Sequence, residues 1–322
     1  MAKGTLRFSI PDESVPAEQR SFYATPQNKD FVAKEVQLHD FRSSEDVVQG
    51  AKGLDVQGFT YLKHKTKITG PDHLCEGRNV DDIYLPEIEQ FMKEVTGAKE
   101  VIAWSGVVRR KLATHQDNNP TVQHKKGGDM DKMIDSMPRD TPLIIGRDAD
   151  RKLEPIRNVH IDFSNQGLRN TVRHCRHDFR KAGKAALDAE DAGSKNVPRY
   201  ACYSVWRPLI TVKRDPLAVC DWRTVDQDGI YDADYRNPAD NEEGEFMNII
   251  RIILPPKDDR QKWYYYSNQT PDDVLIIKVG DTASDVDPTI ASGSPHGSPI
   301  MFGVEDGDEP RQSIEVRVIA FW

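Results

Sequence analysis

Short apolar patches separated by Pro, Gly, Asp and Asn set the hydrophobic pattern of this 322-residue chain. Over the first 75 residues only 5–10 and 58–62 stand out, and they predict brief strands in an otherwise irregular amino-terminal layer. A helix is predicted near 82–96. Its apolar positions Ile83, Leu85, Ile88, Phe91, Met92 and Val95 recur at three- and four-residue spacing. Pro86 suits an early helical position, and Gly97 stands where a left-handed cap would end the helix. The run 101–105 predicts a buried strand directly after it.

Residues 111–154 break this pattern, with one short apolar run at 143–145 amid Asn, Gly, Lys and Asp. A segment this long without periodicity reads either as a lid over a site or as a surface excursion. From 155 onward the pattern tightens. Residues 159–163 alternate like a strand, 166–192 read as a polar helix or helix pair, and apolar runs follow at 200–205, 246–254, 263–267, 274–279 and 314–321. Many short strands separated by turn residues favour a sandwich or barrel over a doubly wound sheet. The expected fold class is mainly β with flanking helices, in one domain spanning 1–322. Its parts would be an α/β layer (1–110), a long loop or lid (111–154) and a β core (155–322). No G-x-G-x-x-G follows a strand and no P-loop is present, so nucleotide folds lack their main support.

Composition narrows the function classes. Forty-four Lys and Arg against 52 Asp and Glu leave a formal charge of −8. That balance argues against nucleic-acid or anionic-membrane partners, since both need a cationic footprint. No 18 apolar residues run together, and the start of the chain has neither an apolar signal core nor a small-residue cleavage site. A cytoplasmic protein without a membrane span is expected. Cys75, Cys175, Cys202 and Cys220 form no C-x-x-C pair and read as free thiols.

The candidate chemistry begins at His160 and Asp162. Residues two apart on a strand share a face, so imidazole and carboxylate would point at one locus. His296, in the sequence Ser294-Pro-His-Gly-Ser298 among the last strands, is the candidate third ligand, 136 residues downstream of His160. Two imidazoles and a carboxylate on one face of a metal leave positions open, the donor set that suits Fe(II) oxygenases. Further on, Arg311, Ser313, Glu315 and Arg317 alternate with mostly apolar neighbours. An inward Arg with a Ser two residues on offers a planar fork and a hydroxyl for a carboxylate. The same alternation also fits an edge strand showing its polar face to water.

Together these residues resemble the non-haem Fe(II)/2-oxoglutarate-dependent oxygenases. More narrowly, they resemble a mainly fungal hydroxylase/desaturase family related to gibberellin desaturases and to a protein of cephamycin methoxylation. The matching segments are Tyr84-Leu-Pro-Glu87 with Thr96-Gly-Ala98, Val159-His-Ile-Asp162, Val205-Trp-Arg-Pro-Leu209, 263–278 and 310–317. The resemblance implies a double-stranded β-helix core of jelly-roll, cupin-like type. It implies iron on His160, Asp162 and His296, with 2-oxoglutarate and O₂ as cosubstrates. Arg311 and Ser313 would hold the distal carboxylate of 2-oxoglutarate, with Arg317 a second candidate for that clamp, and Tyr265 and Trp206 would line the cosubstrate or substrate pocket. The implied reaction removes hydrogen from a small molecule of specialised metabolism, ending in hydroxylation, desaturation or ring closure, while 2-oxoglutarate becomes succinate. Two alternatives remain at this stage. One is a non-catalytic partner protein that keeps the fold, and the other a metal-dependent hydrolase or isomerase on a cupin-like barrel.

Other constellations read as structural. His174 and His177 with Asp178 are flanked by Arg173, Arg176 and Arg180, which would repel a dication. Arg109 and Arg110 could meet a substrate carboxylate but fit surface pairing better. Residues 264–266, three tyrosines, fit core and pocket lining better than base stacking. His115 and His124 fall in the 111–154 segment with no partner in the sequence. Asn268-Gln-Thr270 matches a glycosylation pattern that a chain without a signal peptide leaves unmodified.

Overall fold

A computed structural model describes residues 2–113, 125–138, 141–147, 152–240, 242–303 and 307–322. Its strands are β1 (Ala2–Asp12), β2 (Gln27–Asp40), β3 (Phe59–Lys63), β4 (Glu100–Arg109), β5 (Leu143–Ile145), β6 (His160–Ile161), β7 (Tyr200–Pro208) and β8 (Ala218–Cys220). They continue with β9 (Ile230–Pro238), β10 (Glu245–Ile253), β11 (Trp263–Tyr265), β12 (Asp273–Asp281), β13 (His296–Gly297), β14 (Ile300–Met301) and β15 (Ser313–Phe321). The helices are α1 (Gly53–Val56), α2 (Pro71–Cys75), α3 (Leu85–Thr96), α4 (Asp129–Asp135), α5 (Asn165–His174), α6 (His177–Ala182) and α7 (Lys184–Asp191). The protein is mainly β with a few flanking helices.

Two mixed sheets carry the architecture. A nine-stranded sheet runs β14-β1-β2-β11-β8-β13-β6-β10-β9, and a six-stranded sheet runs β3-β12-β7-β15-β4-β5. The first 110 residues feed both: β1 and β2 enter the larger sheet, β3 and β4 the smaller. The 111–154 segment contributes α4 and the edge strand β5, which pairs parallel to β4.

Strand alternation sorts side chains into two cores. One joins both sheets, with Leu6, Phe8, Leu38 and Trp263 from the larger and Phe59, Cys202, Trp206, Leu275, Ile277 and Ile319 from the smaller. The other backs the smaller sheet, where Ala201, Tyr203, Val205, Ile276, Val316 and Val318 meet Leu85, Ile88 and Met92 of α3. Every residue of β7 and β12 is buried. That explains why 200–205 and 274–279 read as near-continuous apolar runs: a strand covered on both faces has no polar face to alternate with.

α3 begins later than the spacing predicts, because a π-helical turn at Val80–Tyr84 leads into it. Gly97 caps it in the left-handed conformation (φ 69°), donating its N–H to Lys93. The polar stretch 166–192 resolves into three short helices. Of these, α5 starts at Ser164, whose hydroxyl accepts from the Gly167 N–H at 2.9 Å. The N-cap of α5 therefore follows Asp162 by two residues.

The loop ahead of His296 packs tightly on β6. A Cβ on Gly293 would come 2.9 Å from the Ile161 γ-methyl, so only glycine lets the two segments approach this closely. Gly293→Ala is expected to destabilise the protein by about 1–3 kcal/mol, the usual range for overpacking a core. A urea unfolding curve measures this, and an unchanged midpoint would show that the loop has room to spare.

Candidate active site

His160 and His296 are directly opposite each other in the antiparallel pairing of β6 and β13. Opposed residues project from one face of a sheet, and the two imidazole centroids lie 4.6 Å apart. Asp162, two residues beyond His160, turns to the same face. One ligand atom from each of the three lies within 4.8 Å of the others, and among the described residues this is the one such group of three or more His, Cys, Asp or Glu.

The ring orientations suit a metal. His160 Nδ1 is 2.9 Å from the Asn158 carbonyl, and His296 Nδ1 is 3.0 Å from the Ser294 carbonyl. A carbonyl can only accept, so each Nδ1 carries a proton, and in the neutral ring that tautomer leaves Nε2 with the free lone pair. Backbone carbonyls play this orienting part for many metal-bound histidines. Burial, and next the His296 ring, push the His160 pKa down to about 4, which keeps its imidazole neutral near pH 7. Burial alone would raise the pKa of Asp162. Arg317, and then His296 and His160, outweigh it and hold the carboxyl well below the usual range.

Arg317 grips that carboxylate with two nitrogens, Nε to Oδ2 at 2.9 Å and Nη2 to Oδ1 at 2.8 Å. The same Nη2 lies 3.2 Å from Glu315 Oε1, which in turn accepts from the Ser204 hydroxyl at 2.7 Å.

Arg311 has different company. It is 2% exposed, stacks over the Trp206 ring at 5.3 Å and donates Nη1 to the Asp215 carbonyl at 2.7 Å, with Ser298 Oγ at 3.4 Å. The Asp215 carboxylate is engaged elsewhere, with Arg157 Nη2 at 2.6 Å and Arg214 Nε at 3.0 Å. Asp215 takes a left-handed backbone conformation (φ 52°), uncommon outside glycine. Arg311 Nε is buried without a hydrogen-bond partner. Burial, and next the Arg109 guanidinium, push its pKa down to about 9. The group stays protonated near pH 7, but it is a buried cation short of counter-charge, with donors to spare for an anion.

The sequence family described as "Oxidoreductase/YMDC permease-like domain" matches residues 6–321. The gibberellin cluster GA4 desaturase of Gibberella fujikuroi is 32% identical, across 84% of this chain and 82% of that protein. The hydroxylase/desaturase CTB9 of Cercospora beticola is also 32% identical, across 84% and 72% respectively. This chain belongs to the fungal hydroxylase/desaturase family of Fe(II)/2-oxoglutarate-dependent oxygenases. Its fold is shared with the iron and α-ketoglutarate-dependent endoperoxidase NvfI, at a TM-score of 0.64 and 23% identity over 99% of this chain and 97% of that one. As for the permease in the family description, no described helix of this oxygenase family member is long and apolar enough to cross a membrane.

The other sequence candidates scatter. Trp206 lies against Arg311 and directly opposite Glu315 in the β7–β15 register. Ser313 is buried on the same strand, between Arg109 and Pro208. Tyr265 does not join them. It lines a separate depression with His39, Asp40 and Asp46, because β11 stops after three residues and Tyr265 is its last. Arg109 is drawn inward, with Nη1 on the Glu154 carbonyl at 2.6 Å, while Arg110 holds the Arg147 carbonyl at 2.8 Å. His174 packs on Phe246, and Arg176 and Asp178 pair with each other. Tyr264 Oη donates to Asp46 at 2.8 Å, and Asn268 accepts from Lys213. His115 and His124 lie outside the described residues.

Sequence reasoning missed Asp215, Arg157, Ser298 and Ser204, and gave Glu315 no role. Asp215, Arg157 and Ser204 lie outside the quoted motifs, and Ser298 and Glu315 lie within quoted stretches without a role of their own; their contacts come from segments brought together by the fold.

The shifted groups predict acid sensitivity in metal-free protein. His160 sits below its ordinary 6.5, so as pH falls from 6.5 towards about 4 the unfolded chain takes up a proton that the folded one refuses, and stability drops. Asp162 sits below its ordinary 3.8, so its contribution is complete above that pH and is lost beneath it. Urea midpoints measured across pH should therefore lose the upper part of this slope in His160→Gln and the lower part in Asp162→Asn. Parallel profiles for all three proteins would contradict the assignment.

Proposed function

We propose that this chain uses Fe(II), 2-oxoglutarate and O₂ to remove hydrogen from a small molecule of fungal specialised metabolism. His160, Asp162 and His296 would hold the iron, and Arg311 the distal carboxylate of 2-oxoglutarate. The observation that carries the reading is the convergence of three donor atoms within 4.8 Å on neighbouring backbone segments. The donor set fits the metal: two imidazoles and a carboxylate suit a ferrous ion that must keep open positions. The facing sheets would form a double-stranded β-helix within a single oxygenase domain. All four cysteines are free thiols, which suits a cytosolic setting.

When bound, the iron would let O₂ act as the oxidant: 2-oxoglutarate would give up two electrons and leave as succinate and CO₂, with one oxygen atom of O₂ in the succinate and the oxidising power of the other left for the substrate C–H bond. The chain's own residues do the rest. Asn158 and Ser294 carbonyls hold the imidazoles so that Nε2 faces the metal. Arg311 offers its unpaired Nε and remaining donors to the cosubstrate's carboxylate, with the Trp206 face beneath the guanidinium. Cys202, Ile277 and Ile319 pack the wall of the inner core and exclude water.

Arg311, rather than Arg317, is the clamp in this reading. Arg317 already spends Nε and Nη2 on two carboxylates, whereas the one hydrogen-bonded nitrogen of Arg311 meets a carbonyl and a hydroxyl. Ser298 Oγ is 3.4 Å from Arg311 Nη1, and Ser313, two residues on in the chain, is also buried. The partner-protein alternative has no observation in its favour: a scaffold does not need two oriented imidazoles beside a carboxylate and an uncompensated buried arginine.

Succinate release in the presence of Fe(II) and a panel of small-molecule substrates tests the activity, with His160→Ala expected to abolish it. Turnover that persists in that variant, or that proceeds without O₂ and 2-oxoglutarate, would overturn the reading. Arg311→Ala should weaken 2-oxoglutarate by on the order of 2–5 kcal/mol while leaving metal uptake in place, as befits loss of a buried charge-assisted contact. If Arg317→Ala alone has that effect, the clamp is the other arginine.

A further inference from the structure

A free Asp162 carboxylate would be poorly suited to its part. The terminal torsion of aspartate is broad, so the group can turn and present either oxygen, or both, to a metal. Each imidazole has a backbone carbonyl to hold it, whereas the hydrogen bonds to Asp162 among the described residues come from the Arg317 side chain. The group that holds it is Arg317, whose fork fixes the carboxylate plane through both oxygens. Within that grip Oδ1 lies 3.7 Å from His160 Nε2, on the side where the ligand nitrogens gather, while Oδ2 faces Arg317 Nε. A carboxylate oxygen has two lone pairs, so Oδ1 can accept from Nη2 and still offer one to a metal.

The guanidinium also brings a difficulty. A positive charge against the carboxylate repels a dication and draws donor density away from it. Glu315 offsets this from 3.2 Å away on the same Nη2, and the Ser204 hydroxyl holds Glu315 in place. With both present, the net charge of Asp162, Arg317 and Glu315 is that of one carboxylate. The backbone makes the arrangement rigid. Glu315 and Arg317 alternate onto one face of β15, which is paired on both sides, and Ser204 stands directly opposite Arg317 on β7. The β4 pairing slips by one residue between Arg317 and Val318, a local bulge of the kind that re-aims side chains beside active sites.

We propose that Arg317 and Glu315 form a positioning dyad that sets both the orientation and the effective charge of Asp162 for metal binding. The dyad rests on the reading of His160, Asp162 and His296 as metal ligands. It touches neither substrate nor cosubstrate, and it acts only through Asp162.

Anaerobic Co(II) titration followed by visible absorption tests it, since the cobalt bands report both affinity and ligand geometry. The isosteric Glu315→Gln and the charge-preserving Arg317→Lys should each weaken Co(II) binding by about 10- to 100-fold, the usual effect of losing a partner behind a metal ligand. Arg317→Lys should also change the band pattern, because a lysine cannot reproduce the two-point grip. 2-Oxoglutarate affinity at saturating Co(II), measured by equilibrium dialysis, should hold in both variants. Unchanged affinity and bands in folded variants would overturn the dyad alone. So would loss of 2-oxoglutarate binding with Co(II) affinity intact, which would make Arg317 the clamp. If Arg317→Lys fails to fold, as judged by circular dichroism, Glu315→Gln decides. Absence of Co(II) uptake by the parent protein, or full uptake by His160→Ala, would instead sink the metal-site reading and the dyad with it.

Discussion

One antiparallel residue pair, His160 against His296, is the constraint on which the site depends. Strand side chains alternate faces, so a slip of one residue between β6 and β13 would send one imidazole to the opposite side of the sheet. Both strands are only two residues long and cannot set their own register. The register comes from around them. Ser294 donates its N–H to the Lys278 carbonyl at 2.9 Å and its hydroxyl to the Cys220 carbonyl at 2.8 Å, and its own carbonyl meets His296 Nδ1. Lys278 is itself fully buried, its ammonium held at 2.6 Å by both Asp55 and Asp281. One serine thus links the orientation of the His296 ring to an ion network in the other sheet.

Charge organises the same interior on a second level. Buried charges persist only where paired or hydrogen-bonded. Here Arg157, Arg214 and Arg311 converge on Asp215, whose single carboxylate serves the first two and whose carbonyl serves the third. The left-handed backbone of Asp215 accompanies this division. An acidic chain, −8 in formal charge, therefore encloses a locally cationic site. Net charge describes the outer surface and the partners it repels, and it carries no information about an enclosed anion site.

What the sequence disclosed, and what it hid, follows from how each feature is encoded. Helix α3, the H-x-D pair and the alternation of β15 are local, and local periodicity exposes them. β2 and β9 escaped because most β2 side chains face water and β9 carries Asp, Asn and Arg, which depress strand signals. The two-residue strands have no period at all. Tyr265 is expected in the pocket only through the family resemblance; it is the last residue of β11 and lines a depression with His39, Asp40 and Asp46, and strand ends are not readable to such accuracy from sequence. The contacts of Asp215 and Ser298 with Arg311 join residues 96 and 13 positions away, and no single-sequence pattern encodes such partners.

The two arginines of the last strand region show why residue type alone could not separate their roles. Arg311 and Arg317 are six residues apart, and in sequence each looks equally able to bind a carboxylate. Their neighbours differ. Arg317 lies inside the strand, where alternation places Glu315 beside it and the sheet's face brings Asp162 across. Arg311 precedes the strand, and among the described residues its hydrogen bonds go to a carbonyl and a hydroxyl. A guanidinium already satisfied by two carboxylates gains little from a third, whereas one held by neutral acceptors in a dry interior gains a full charge–charge interaction when an anion enters. Counter-charge, which only the fold reveals, is what separates the two arginines in the proposed reading: one held by carboxylates, the other by neutral acceptors.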